Sequence, residues 1–163
     1  VVDTIIGARR IYIVGFRSSS FLAGYLNFYF RLIYDNVTQV QGGAAGTFDQ
    51  LFRVGPGDVV IAICFPRYSE LALKTVQYAK DRGATIIGVT DSEMSPVYQM
   101  SSGSLLVRNE MISFVDSLAA PMSMLNALIL AAAHKQGTDI SATFNELEHV
   151  WDRFGIFGKV EDE

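Results

Sequence analysis

The sequence predicts an α/β fold, a doubly wound parallel sheet of five strands in a single domain. Three observations predict it. Short runs of apolar β-formers alternate with segments of helical periodicity. The run at 59–64 is almost wholly apolar, as suits a central strand covered on both faces. The 163 residues, half of them hydrophobic, suffice for a real core in one domain.

Each element follows from its residues. The run RIYIVG at 10–15 reads as the first strand. Apolar residues at Phe21, Leu22, Leu26, Tyr29, Phe30 and Ile33 recur at helical spacing, so 21–33 reads as a helix. A short strand at 37–40 ends at Gly42 and Gly43, and a short helix is expected over 47–54. Gly55-Pro56-Gly57-Asp58 has turn chemistry. After the third strand, 69–82 reads as a helix with Ala72, Leu73, Val76 and Ala79 on one side and Gly83 as its stop. The fourth and fifth strands are expected at 85–89 and 104–107. Between them, Ser95-Pro96 fits an N-cap followed by proline at the first helical position. Two further helices are expected over 113–135 and 141–154.

Strand–helix alternation implies crossovers and parallel pairing. The number of short strands favours the flavodoxin-like order 2-1-3-4-5. In that order strands one and three are neighbours whose following helices leave to opposite faces. Ligands bind in the crevice outside their carboxyl ends. The order therefore points to two loops, at 15–20 and 64–70.

Composition bounds the function. Thirteen Lys and Arg against seventeen Asp and Glu give a formal charge of −4. That balance argues against a nucleic-acid surface on this segment. Cys64 is the only cysteine, so no internal disulfide forms, and a cytoplasmic setting is expected. The most apolar stretch, 118–133, is interrupted by Pro121, Ser123 and Asn126, and is expected to be a buried helix and not a membrane span. His134, His149 and Cys64 show no metal-ligand spacing, and no cofactor is expected.

The first loop is Gly15-Phe16-Arg17-Ser18-Ser19-Ser20. Three hydroxyls sit where a strand hands over to a helix, beside the positive end of the helix dipole. They make a cradle for phosphate or carboxylate, although one serine alone is explained as an N-cap. The second loop is Cys64-Phe65-Pro66-Arg67-Tyr68-Ser69-Glu70. Ser69 suits a cap and Glu70 favours the helix start. Arg67 adds positive charge to a positive place, which calls for an anionic ligand or a partner acid such as Glu70. Glu110 follows the fifth strand at the same edge and is a candidate ligand contact, general base or plain loop acid. Asp91 and Ser92 there have ordinary turn chemistry.

These stretches resemble the sugar isomerase (SIS) domain, and most closely the effector domain of RpiR-type bacterial transcription regulators. RIYIVGFRSSS, GDVVIAICFPRYSE, GATIIGVTDSEMSPV and SFVDSLAAPMSMLNALI carry the resemblance. It implies binding of a phosphorylated sugar and dimers or tetramers. It also implies DNA contact only through an N-terminal helix-turn-helix domain, for which these residues hold no counterpart. In the family pattern Gly-x-Gly-x-Ser, Gly15 and Ser19 match while Arg17 replaces the second glycine. In Ser-x-Ser-Gly-x-Thr followed by Glu, Cys64 and Pro66 stand at the serines, Arg67 at the glycine and Ser69 at the threonine. The expected ligand-binding set is Gly15, Arg17, Ser18, Ser19, Ser20, Arg67, Tyr68, Ser69, Glu70 and Glu110, with no catalytic residue and no metal. Two other functions compete with the sensor. One is a phosphosugar isomerase of the same fold. The other is a dimerisation module with a decayed pocket.

Overall fold

A computed structural model describes residues 1–109, 111–112, 114–137 and 140–157. A five-stranded parallel sheet runs in the order β2-β1-β3-β4-β5, as the sequence predicts. Its strands are β1 Arg10–Val14, β2 Val37–Val40, β3 Asp58–Ile63, β4 Thr85–Thr90 and β5 Gly103–Leu106. All six residues of β3 are buried, which explains why its sequence lacks a polar face.

Successive side chains of the sheet serve two cores. Ile11, Ile13, Val59, Ile61, Ile63 and Ile87 face one side, where α1 Val2–Ile6, α2 Ser19–Ile33 and α6 Ala119–Gln136 cover them. Tyr12, Val14, Val60, Ala62 and Ile86 face the other, under α3 Ala44–Leu51, α4 Glu70–Asp81 and α5 Pro96–Met100. The last helix, α7 Ile140–Phe154, packs against α2. Among the described residues no helix is long and apolar enough to cross a membrane.

Local chemistry sets the boundaries. The Ser95 hydroxyl accepts from the Tyr98 N–H at 3.1 Å, with Pro96 opening α5. Gly83 follows α4 with φ +85, a conformation that costs other residues strain. Two expectations need correction, and one element is unforeseen. The helix expected over 47–54 is α3, running from Ala44 to Leu51: two alanines extend it backwards, and a turn closed by the Val54 N–H on the Leu51 carbonyl ends it. Helix α1, of only five residues, has no counterpart in the sequence reading. The helix expected from 113 begins instead at Ala119, after a two-stranded antiparallel hairpin of β6 Met111–Ile112 and β7 Val115–Asp116. Pro121 explains the late start. It sits in the first turn, where its missing N–H is harmless, whereas a start at 113 would bury it mid-helix at about 3 kcal/mol. Residue 113 itself lies outside the described residues.

The foot of the sheet carries a buried ion cluster. Asp58 stands opposite Arg10 in the β1–β3 register and is fully buried. Its carboxylate accepts from Arg9 Nε and Nη2 at 2.9 Å each, from Arg10 Nε and Nη2 at 3.2 and 3.1 Å, and from the Gly55 N–H at 3.0 Å. Burial pushes this carboxyl's pKa up, but the hydrogen bonds from Arg9, Arg10 and Gly55 outweigh it and hold the pKa below the ordinary value. Asp58→Ala should cost about 3–5 kcal/mol in chemical denaturation, since two cations lose their partner. Asp58→Asn should cost less at neutral pH. A depressed folded-state pKa gives stability that is complete above the unfolded value and lost as pH falls below about 4. Denaturation curves from pH 7 to 3 should therefore decline more steeply for the parent protein than for Asp58→Asn.

Candidate functional site

The carboxyl ends of β1 and β3 lie side by side, because these strands pair through Val14 and Ala62. From Val14 the chain runs through residues 15–18 into α2, and from Ile63 through 64–69 into α4. The two helices cover opposite faces, so the loops diverge and open a crevice. Gly15 is required there: a Cβ would lie 2.5 Å from the Ser19 carbonyl oxygen.

Arg17 and Arg67 both adopt the left-handed conformation, with φ of 56° and 66°, alone among the described non-glycine residues. That conformation costs an L-residue about 1–2 kcal/mol. Both stand where the SIS patterns place glycine, so the loops keep a glycine backbone while carrying guanidinium groups. The sequence marks the replacement but not its consequence for the backbone.

The crevice holds a cavity of about 260 Å³ lined by Arg17, Ser18, Ser19, Arg67, Ser69 and, from β7, Asp116. The Ser18 hydroxyl donates to Asp116 Oδ2 at 2.9 Å, and Arg67 Nη2 donates to Asp116 Oδ1 at 3.3 Å. Ser18 precedes α2 yet makes no side-chain cap bond. Ser69 does cap its helix, its hydroxyl accepting from the Ala72 N–H at 3.4 Å. Accepting leaves its own proton for a second partner. A second cavity, of about 520 Å³, shares Arg17 and takes in Gly15, Ser20, Gln39 and Gln41 at the ends of β1 and β2. The Ser20 hydroxyl donates to the Arg17 carbonyl.

The remaining predicted residues lie elsewhere. The Tyr68 hydroxyl donates to Asp91 Oδ1 at 2.7 Å, away from both cavities, and thereby ties the second loop to the end of β4. Burial and this carboxylate push its phenol up to about 12, so it stays protonated. Glu70 is exposed and pairs with Lys74 one turn along α4 at 3.4 Å, not with Arg67. Glu110 lies outside the described residues. Cys64 is buried, and burial raises its thiol pKa against the lowering effect of the Ser69 N–H. A thiol so held is a poor nucleophile. Asp116 is the residue that sequence reasoning missed. Its partners are 98 and 49 residues away, and the strand that carries it falls within the helix expected from 113. Among the described residues no group of three His, Cys, Asp or Glu could hold a metal.

Two arginines against one aspartate leave the crevice positive, and the serine hydroxyls add donors. The arrangement suits a small anion.

Solved structures resemble this one closely. The sugar isomerase domain of an RpiR transcription factor from Sphaerobacter thermophilus matches with TM-score 0.84 and 21% identity, over 91% of this chain and 83% of that one. Vibrio vulnificus NanR, complexed with ManNAc-6P, matches with TM-score 0.78 and 14% identity, over 97% of this chain and 60% of that one. A Methanococcus jannaschii protein, whose structure infers a function of 3-hexulose-6-phosphate isomerase, matches with TM-score 0.72 and 16% identity, over 88% and 80%. None of the curated proteins matches. At these identities the likeness establishes the fold. The sequence profile of the SIS domain matches residues 4–131, most of the chain, and the chain belongs to the SIS domain family.

Proposed function

We propose that this chain is the ligand-sensing effector domain of an RpiR-like regulator. It takes a small anionic sugar derivative, a sugar phosphate or sugar acid, and so controls DNA binding by a domain elsewhere in a cytoplasmic polypeptide. The carrying observation is the pair of left-handed arginines lining one cavity. Strained residues persist where the surroundings or a ligand hold them, and they cluster at binding sites. The resemblance to the RpiR domain, and to the NanR protein solved with ManNAc-6P, supports the same reading.

The Methanococcus protein keeps an isomerase as the second reading. Isomerisation needs a base at the carbon acid and a stabiliser for the enediolate. Glu70 is turned to solvent and paired with Lys74, which argues against it as that base. We expect no turnover of common aldose or ketose phosphates. Sustained turnover lost in Glu70→Gln or Glu110→Gln would overturn the sensor reading.

A thermal-shift screen with sugar phosphates and sugar acids tests binding, because a ligand raises the melting temperature by mass action. It also separates the sensor from a module with a decayed pocket. With the hit in hand, Arg67→Ala should weaken binding by about 1.5–3 kcal/mol, the range for a charged hydrogen bond. Arg67→Lys should recover part of it, lacking the planar fork. Unliganded stability should change by less than about 1 kcal/mol, since Arg67 is 61% exposed in its pair with Asp116. Arg67→Gly should even gain up to about 1 kcal/mol by removing left-handed strain. A large stability loss with unchanged affinity would make Arg67 a structural partner of Asp116 and end its assignment to the ligand.

We also propose that the domain works as a homodimer or larger homo-oligomer. Between α2, α6 and α7 lies an apolar groove of about 350 Å³, lined by Tyr25, Tyr29, Ile129, Leu130 and Phe144. Leu130 on α6 is 68% exposed and Phe28 on α2 is 57% exposed. Light scattering at micromolar concentration should give at least a dimer mass, and Leu130→Asp should lower it. A monomer mass for the parent protein would count against this.

A further inference from the structure

The Asp116 carboxylate takes hydrogen bonds from both loops of the crevice. One oxygen accepts from the Ser18 hydroxyl of the first loop, the other from the Arg67 guanidinium of the second. The donors of both loops thus converge on one internal anion, inside the cavity that Arg17, Ser19 and Ser69 also line. We propose that Asp116 is a specificity-determining residue: it occupies the anion donors of the unliganded chain and sets the charge an incoming anion must carry to displace it. This rests on the reading of the cavity as an anion site.

The charge count gives the selection. Arg17 and Arg67 supply two positive charges, and Asp116 cancels one. A singly charged anion that displaces Asp116 replaces one such anion with another and leaves the balance unchanged. A phosphate monoester carries about −1.5 to −2 at neutral pH and meets both guanidinium groups. The displaced carboxylate is not stranded. Asp116 is 24% exposed, so a side-chain rotation delivers it to water without unfolding anything. Displacement then costs the Ser18 and Arg67 hydrogen bonds and no buried, unpaired charge.

Calorimetric titration with sodium sulfate, a dianion of fixed charge, tests this at constant ionic strength. The parent protein, Asp116→Asn, Arg67→Ala and the double variant are compared. Asparagine keeps the shape and an oxygen for the Ser18 hydroxyl, and Asp116→Ser serves if the asparagine variant fails to fold. Sulfate should bind Asp116→Asn about ten- to hundred-fold more tightly than the parent, the factor for one charged hydrogen bond. Adding Arg67→Ala should abolish that gain. Acetate, too weak to displace Asp116 from the parent, should become measurable in Asp116→Asn. Equal sulfate affinity in parent and Asp116→Asn, with Arg67→Ala weakening both, overturns the role of Asp116 and leaves the anion site standing. Sulfate binding that ignores Arg67→Ala, or is absent from all four proteins, overturns the anion site and this proposal with it.

Discussion

The carboxylate of Asp58 fixes how β1 lies against β3. It is fully buried, lies opposite Arg10 in the register, and takes bonds from two arginines and a backbone N–H. A one-residue slip would send every side chain of a strand to the wrong face. Here that would exchange the sets of residues serving the two cores, and would pull Asp58 away from Arg10. The consequence appears at the other end of the sheet, roughly 16 Å away along a five-residue strand. Val14 and Ala62 end level, so the two following loops start at the same height and face each other. The meeting of Ser18, Arg67 and Asp116 in one cavity depends on a register held at the opposite edge.

The parts of this architecture with a period were legible in the sequence. Five apolar runs gave the strands, and their spacing by helical segments gave the order 2-1-3-4-5 and hence the crevice. The parts without a period were not. Helix α1 has five residues, too few for one amphipathic cycle to stand out. Strands β6 and β7 have two residues each, below any strand signal. Pro121 was the available clue, since proline belongs in a first helical turn and not eight residues into a helix. A first turn built around Pro121 frees 113–118 from the helix and leaves Asp116 in a connection near the carboxyl edge of the sheet.

The crevice was legible in outline for the same reason, and blurred where long-range partners decide. Arg17, Ser18, Ser19, Arg67 and Ser69 came from the switch-point argument and do line one cavity. Glu70 and Tyr68 came from the same loop, but sequence adjacency does not say where a side chain turns. Glu70 begins α4 and finds Lys74 one turn on, the nearest opposite charge on an exposed face. Tyr68 finds Asp91 across the neighbouring strand. The left-handed backbone of Arg17 and Arg67 has no sequence signature of its own, because arginine gives no warning of positive φ.

Two arginine–aspartate clusters sit at opposite ends of one sheet, and their differences say what each does. At the foot, Asp58 is fully buried and saturated by five hydrogen bonds, and neither of its arginines is left-handed. Removing it would leave charges unpaired, so it acts on stability. At the crevice, Asp116 holds Arg67 by one bond at 3.3 Å, and the arginine is 61% exposed. Such a pair contributes at most about 1 kcal/mol. The left-handed backbone of Arg67 costs about 1–2 kcal/mol. The contact made in the unliganded chain does not offset the strain of making it. The pair with Asp116 therefore does not account for Arg67 as a structural element, which is what the proposed role as an anion donor would explain. Asp116, bonded to both loops and partly exposed, would on that proposal hold the donors in place and give way to the incoming anion.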